Sequence, residues 1–437
     1  MDRKKEVPFI ATINSSQPRH LRLIVILGAL SAFGPFSIDM YLPSLPSLSR
    51  DFGIGSAEAQ LTLSACLFGL AVGQLVVGPI SDALGRRRPL LVCLVAYAFA
   101  SFLCVIAPSI PVLVILRFIQ GFAGASGIVV ARAVVRDMFS GLDVARFFSL
   151  LMLVNGLAPI LAPLIGGQLL HFTSWRGVFV VLMIIGMLIF VAVFFGLRET
   201  LLPENRQKGG IRTLSAAFRQ LISSRSFIGY ALSYGLAFAA MFSYISGSPF
   251  VLQGVYGISP QLFSIIFGTN ALGLMLASQI NGRLVSRVPL LRLLTIGLSA
   301  TAVGGIALLL VATLGHGSLI GILLSLFVVV ASLGLILPNA TTLALADHRR
   351  IAGSASALIG VLQFAIGALA APLVGISGTT SARPMAIVIA ILGLSSLLAF
   401  LLLVRFRSTS PGQKRRAFYS RFDTIVVDTD WADKKES

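Results

Sequence analysis

The sequence predicts an all-α membrane protein with twelve transmembrane helices in two pseudo-symmetric six-helix bundles. Three observations carry that expectation. Of 437 residues, 56% are hydrophobic and only 11% charged, whereas a soluble domain carries about a quarter charged. With a mean hydropathy of +0.93, most of the chain must face lipid or other buried helices. Runs of about 20 apolar residues, the length that crosses a bilayer, recur twelve times. The basic residues gather in every second break between those runs.

In chain order, residues 1–20 are a polar tail with no cleavable apolar region ahead of the first span. The N-terminal bundle (21–196) has spans near 22–43, 58–80, 89–107, 112–135, 147–170 and 176–196. A basic, polar connection occupies 197–225. The C-terminal bundle (226–405) has spans near 227–253, 260–282, 290–313, 318–345, 352–376 and 384–404. The tail 406–437 is charged, lacks an apolar run and reads as a disordered extension. With both termini in the cytoplasm, the inside segments hold 30 of the 34 Lys and Arg, among them Arg132, Arg136 and Arg146. Arg50, Arg176 and Arg383 fall outside and Arg117 within a span. One missed helix would scramble this alternation, so the count and the orientation support each other. The halves also echo one another: "APLIGG" at 162–167 recurs as "APLVGI" at 371–376, and 78–88 has a faint counterpart, "SQINGRLVSRV", at 278–288. Repeated six-helix halves suit alternating access about a site near the bilayer midplane.

Within this frame Asp39 is the most informative residue, because it alone of 16 acidic residues lies clearly inside a span. It is expected roughly 6 to 8 Å below the outer boundary. A carboxylate there costs about 3 kcal/mol, so it should face a cavity or a partner, and proton coupling is the reading favoured. The alternative is an acid that only caps or kinks the helix beside Pro43. Arg117 enters from the outer side to about 9 Å, which makes a direct or water-bridged pair with Asp39 feasible. Gln120 follows on the same face, where it could orient the guanidinium, and Gly121 and Gly124 let a neighbouring helix approach.

The motifs then resemble a known family. "GPISDALGRRRP" (78–89) is similar to the signature loop of the major facilitator superfamily, with Gly78, Asp82, Gly85, Arg86 and Arg87 in place and Ala83 where a basic residue is usual. "LRFIQG" (116–121) resembles the fourth-span motif of drug/proton antiporters. "FSIDMYLPSLP" (36–46), "LRET" (197–200) and "GSASALIG" (353–360) narrow the likeness to the bicyclomycin- and chloramphenicol-resistance (Bcr/CflA) family. The resemblance implies the major facilitator fold and multidrug efflux in exchange for protons across the cytoplasmic (inner) membrane. It does not identify a substrate. The signature loop is expected to gate, its Asp82 and arginines forming an ion pair that holds one conformation closed. The fifth-span antiporter motif departs at Ala162, leaving Pro159, Pro163, Gly166 and Gly167 to bend and thin that helix. Gly353, Gly360 and Gly367 form a comparable seam in the eleventh span.

For substrate contacts the candidates are Phe36, Phe118 and Phe122 in the first half, and Tyr234, Phe238 and Phe242 on the seventh span. Gln74, Asn155, Asn270, Asn339 and Gln363 are polar mid-span residues able to line the same cavity. Such a cavity is mainly apolar with few charges, which suits a neutral or cationic amphiphile better than a phosphorylated one. No P-loop is present, so an ion gradient and not ATP is the expected energy source. No cofactor is expected. The four histidines lack metal-ligand spacing and no enzyme motif appears. The net charge of +18 is spread over short loops and does not form a nucleic-acid face. The expected partners are a small molecule, protons and lipid, with the chain acting as a monomer. An importer or uniporter of a sugar, purine or amino acid on the same fold stays open. So does, in a different class, a non-transporting receptor or scaffold.

Overall fold

The computed structural model describes residues 18–139, 142–206, 210–314, 318–348, 351–376 and 381–404. The C-terminal tail, most of the N-terminal tail, and Arg349 and Arg350 lie outside the described residues, as does the side chain of Arg146.

Every apolar run becomes a helix. The first half holds α1 (Pro18–Asp39), a short α2 (Leu45–Phe52), α3 (Ser56–Leu84), α4 (Arg87–Val105), α5 (Ile110–Met138), α6 (Leu142–Leu169) and α7 (Trp175–Gly196). After the connecting helix α8 (Gly210–Ser223) come α9 (Arg225–Pro249), α10 (Pro260–Leu284), α11 (Leu290–Leu314), α12 (Leu319–Ala346), α13 (Ala352–Leu373) and α14 (Arg383–Leu403). Among the described residues eleven helical stretches are long and apolar enough to cross a bilayer. α6 is the twelfth, its 28 residues reaching about 42 Å. Ser174, Ser224, Ser259 and Ser318 cap α7, α9, α10 and α12 with side-chain oxygens that accept free N–H groups of the first turn.

The first span ends earlier than its apolar run. Pro43 has no N–H to give the carbonyl of Asp39, so helical bonding stops there and the chain turns into α2. Asp39 is thus the last residue of α1, where free carbonyls point. Arg132, expected with an inside segment, is a helical residue of α5, because that helix runs on to Met138.

α1 and α3–α7 pack as one bundle and α9–α14 as the other, meeting along α3 against α13 and α6 against α10. The tightest seam, α3 on α5, is built on small residues: a side chain at Gly69, Gly73 or Gly121 would strike the backbone of the facing helix. α1 begins and α14 finishes at one end, called here the terminal end. The side-chain hydrogen bonds that cross between halves among the described residues all lie at the opposite, far end. Gln253 Nε2 donates to the Pro43 carbonyl (3.2 Å), Gln60 Nε2 to Ser246 (3.2 Å), Gln261 Nε2 to Gly167 (2.9 Å) and Ser56 Oγ to Gly375 (3.5 Å). The molecule is sealed at its far end.

Candidate functional site

Asp39 ends α1, which packs along α6. Gly166 of α6 sits against the Met40 carbonyl, so the glycine of the fifth-span motif lets that helix close on the turn after Asp39. Gly167 packs on Pro260 and Ser264 of α10 in the same way. Across the seam, Tyr244 of α9 is within electrostatic range of Asp39, and its hydroxyl accepts a hydrogen bond from Asn270 Nδ2 at 2.8 Å. Asp39 is 6% exposed and its side chain has no hydrogen-bond or ion-pair partner among the described residues. A buried carboxylate in that condition is neutralised by a cation, by water or by a proton.

The cation is near but committed elsewhere. Arg117 is fully buried. Its guanidinium donates to Gln120 Oε1 and, at 3.0 Å, to the Ser37 carbonyl two residues before Asp39. It lies over the rings of Tyr41 (4.9 Å) and Phe179 (5.5 Å), a desolvated cation–π setting worth about 2 kcal/mol. Gln120 passes the network on through Ser101 (2.7 Å), which bonds the Tyr97 carbonyl, while the Tyr97 hydroxyl meets Ser37 Oγ at 2.6 Å. The structure therefore brings Arg117 and Gln120 together and hangs both on α1, with no ion pair between Arg117 and Asp39.

The signature loop forms a second cluster at the terminal end, inside the first half. Arg86 pairs with Asp82 and, through Nε at 2.8 Å, with Asp137 of α5. Burial alone would weaken the Arg86 charge, but its bonds to Asp137 and Asp82 more than reverse this and hold the guanidinium above its ordinary value. Glu199, from the "LRET" segment, accepts the backbone N–H groups of Arg86 (2.8 Å) and Arg87 (3.2 Å) together with those of Thr200 and Leu201. Burial pushes that carboxyl up, and the four donors outweigh it and hold it below its ordinary value. Gly85 is required here twice over: its φ of 95° is left-handed, and a Cβ would land on the Glu199 carboxylate. Arg87 binds the Phe194 carbonyl at 2.7 Å and covers its ring. Gly78 has open space and only Val129 near it.

The cavity candidates divide. Tyr234 donates to Gln363 Oε1 at 2.6 Å, and Gln74 faces Gly360 of α13 with its Nε2 buried and unpartnered. Phe238 stacks on Phe242 and meets Phe364 edge-on beside Gly367. Half-buried Phe36 stands one turn before Asp39. Three expectations are corrected. Asn339 is buried inside the second half, where its Nδ2 donates to Asn281 Oδ1 at 2.6 Å. Phe118 turns its ring to Phe68 of α3, centroids 6.1 Å apart, and the backbones of Phe118 and Phe122 are what Gly69 and Gly73 accommodate. Gly353 has nothing within 4 Å and takes no part in the seam formed by Gly360 and Gly367. Asn155 spends its Nδ2 on the Leu151 carbonyl of its own helix. Sequence reasoning missed Ser37, Tyr97, Ser101 and Tyr244, since isolated hydroxyls in apolar helices carry no spacing signal. It also gave Glu199 no role, although the acid sits in a quoted motif.

Comparison with known proteins agrees with this architecture. The Major Facilitator Superfamily family model matches residues 26–372. An uncharacterised MFS-type transporter, YdgK, of Bacillus subtilis is 43% identical over 90% of this chain and 98% of its own length. The bicyclomycin resistance protein homolog of Haemophilus influenzae is 32% identical over 89% and 98%. Among solved structures, a mutant form of the nucleoside transporter NupG superposes with a TM-score of 0.73 at 15% identity, over 88% of this chain and all of that one.

Proposed function

The chain belongs to the major facilitator superfamily, in its bicyclomycin- and chloramphenicol-resistance branch, and from that premise we propose that it exports small, largely apolar drugs or metabolites in exchange for protons, with Asp39 as the proton carrier. It is a multi-pass membrane transporter and not an enzyme. The terminal end is assigned to the cytoplasm of the inner membrane, because the basic residues concentrate there. Sealed at its far end, the molecule is then in a state that receives substrate from inside. The energy source is the proton gradient with no cofactor: one charge across 100 mV supplies about 2.3 kcal/mol, or roughly fifty-fold accumulation.

One observation carries the reading: a buried carboxylate that no cation among the described residues neutralises, at the end of α1 beside α6 and within electrostatic range of Tyr244 of the opposite half. In the cycle, Asp39 takes a proton from outside as substrate leaves and gives it up inward once the far end has closed. Arg117, fixed on the Ser37 carbonyl by Gln120, keeps a positive field beside that exchange.

The test is efflux in inverted membrane vesicles energised by a pH gradient. Asp39→Asn should abolish proton-driven transport while substrate binding to the purified protein persists. Full proton-dependent efflux in Asp39→Asn would remove the assignment. Substrate moving equally well down its own gradient with the proton gradient collapsed would favour an importer or uniporter instead.

A further inference from the structure

Arg132 lies in α5 six residues before the helix ends at Met138, about 9 Å in from the terminal end. Its neighbours Ala131, Ala133, Val134 and Val135 are buried, yet Arg132 is exposed. That exposure is not to lipid. Val112, Ile115 and Ile119 mark the outward face of α5, and a helical turn of about 100° per residue points Arg132 roughly 130° away from them. By the same measure it continues the α5 stripe of Gly121 and Ala125 that meets α3, and it comes within electrostatic range of Tyr234 on α9 of the opposite half. Arg136, one turn on, adds a second positive charge.

Among the described residues no carboxylate answers this cation. In the first half Asp82 and Asp137 are committed to Arg86, Asp51 to Trp175 and Arg176, and Glu58 to the start of its own helix, while the side chain of Asp143 lies outside the described residues. Asp39 stands at the far end of α1, whereas Arg132 stands near the terminal end of α5. Residues 226–405 of the opposite half contain a single acid, Asp347, just past the end of α12. Arg132 itself has no ion pair or hydrogen bond among the described residues. A second donor is left over on the same stretch of the interface. Gln74 Nε2 is buried without a partner beside Gly360, three residues from the Gln363 that accepts the Tyr234 hydroxyl. The interface thus offers a guanidinium and a carboxamide N–H that no anion among the described residues receives.

We infer that the transported molecule is an organic anion, an apolar body bearing a carboxylate or sulfonate, and that Arg132 receives its charged group at the inner entrance. A guanidinium is a donor-only fork that matches a planar carboxylate in two places. This replaces the neutral or cationic amphiphile expected from an apolar cavity. It rests on the export reading above, which supplies the side from which substrate enters.

The full-length protein in nanodiscs is titrated with dansylglycine and other aryl carboxylates, each beside its neutral methylamide. The carboxylates should bind at least tenfold more tightly than their amides, with a preference that shrinks in high salt. Arg132→Gln should bring the ratio close to one, and Arg132→Lys should keep part of it. The inference fails if no carboxylate in the set binds, if amides bind equally well, or if Arg132→Gln leaves the ratio unchanged. Because the readout is equilibrium binding with no gradient, it can fail while proton-driven efflux stands, and the loss of proton coupling would leave it intact.

Discussion

At the terminal end of the first half, α3 and α5 are joined by charge, Arg86 bridging Asp82 and Asp137 with Glu199 gripping the loop from behind. The equivalent pair in the second half, α10 and α12, is joined by a neutral bond from Asn339 to Asn281. The contrast runs through both halves. Residues 21–196 contain six acids, Asp39, Asp51, Glu58, Asp82, Asp137 and Asp143, whereas 226–405 contain only Asp347. The repeat thus reproduces helix pairing without reproducing ionisable chemistry. One half holds nearly all the acids, and the other contributes aromatic and amide side chains.

The sharpest way to break that comparison is to remove the joint on each side. Arg86→Ala leaves two carboxylates facing each other in a partly buried site, a situation that costs about 3–5 kcal/mol. Asn339→Ala removes one neutral hydrogen bond and should cost about 1–2 kcal/mol. Thermal unfolding of the purified proteins in nanodiscs should therefore separate the two variants clearly. Equal losses would mean that the charges at Arg86 add nothing beyond packing.

A smaller effect is expected from Glu199, whose bonds make the first-half loop unlike its counterpart at 278–288. Glu199→Ala leaves the N–H groups of Arg86 and Arg87 without their acceptor, a loss of about 2 kcal/mol. The folded carboxyl is held below the ordinary value of 4.5. Its contribution is therefore complete above that pH and disappears as the pH falls through the lower, folded value. The stability gap between the parent and Glu199→Ala should be constant near neutrality and narrow in acid. A gap that widened in acid would contradict the geometry.

The twelve helices were legible because length and polarity in a bilayer leave few choices, and the alternation of arginines then orders them. Asp39 was legible for the same reason: an acid in an apolar run has to be accounted for. Its separation from Arg117 was not, since equal depth says nothing about which carbonyls and rings a guanidinium prefers. Asn339 and Phe118 looked like cavity residues because composition cannot tell the face of a helix that meets its neighbour from the face that meets a vestibule. Arg132 was hidden by its own usefulness as an orientation marker. Near a helix end, a basic residue satisfies the charge rule whether it points to headgroups or to the centre.

The smallest effects are expected where the halves meet on equal terms, at the far-end seal. There each half lends neutral donors to the other's backbone: Gln60 from the first, Gln253 and Gln261 from the second. One such bond is worth about 1 kcal/mol, so Gln253→Ala should raise the fraction of molecules open at the far end about five-fold. Gln60→Ala should do less. Its Nε2 bond is lost, but the same substitution removes a buried Oε1 that has no partner, and the two terms oppose. Labelling of a Ser47→Cys reporter at the far-end recess, in a background lacking Cys66, Cys93 and Cys104, reads both shifts. If Gln60→Ala opened the seal more than Gln253→Ala, the balance at this end would fail. The first half would then supply the stronger contacts at both ends.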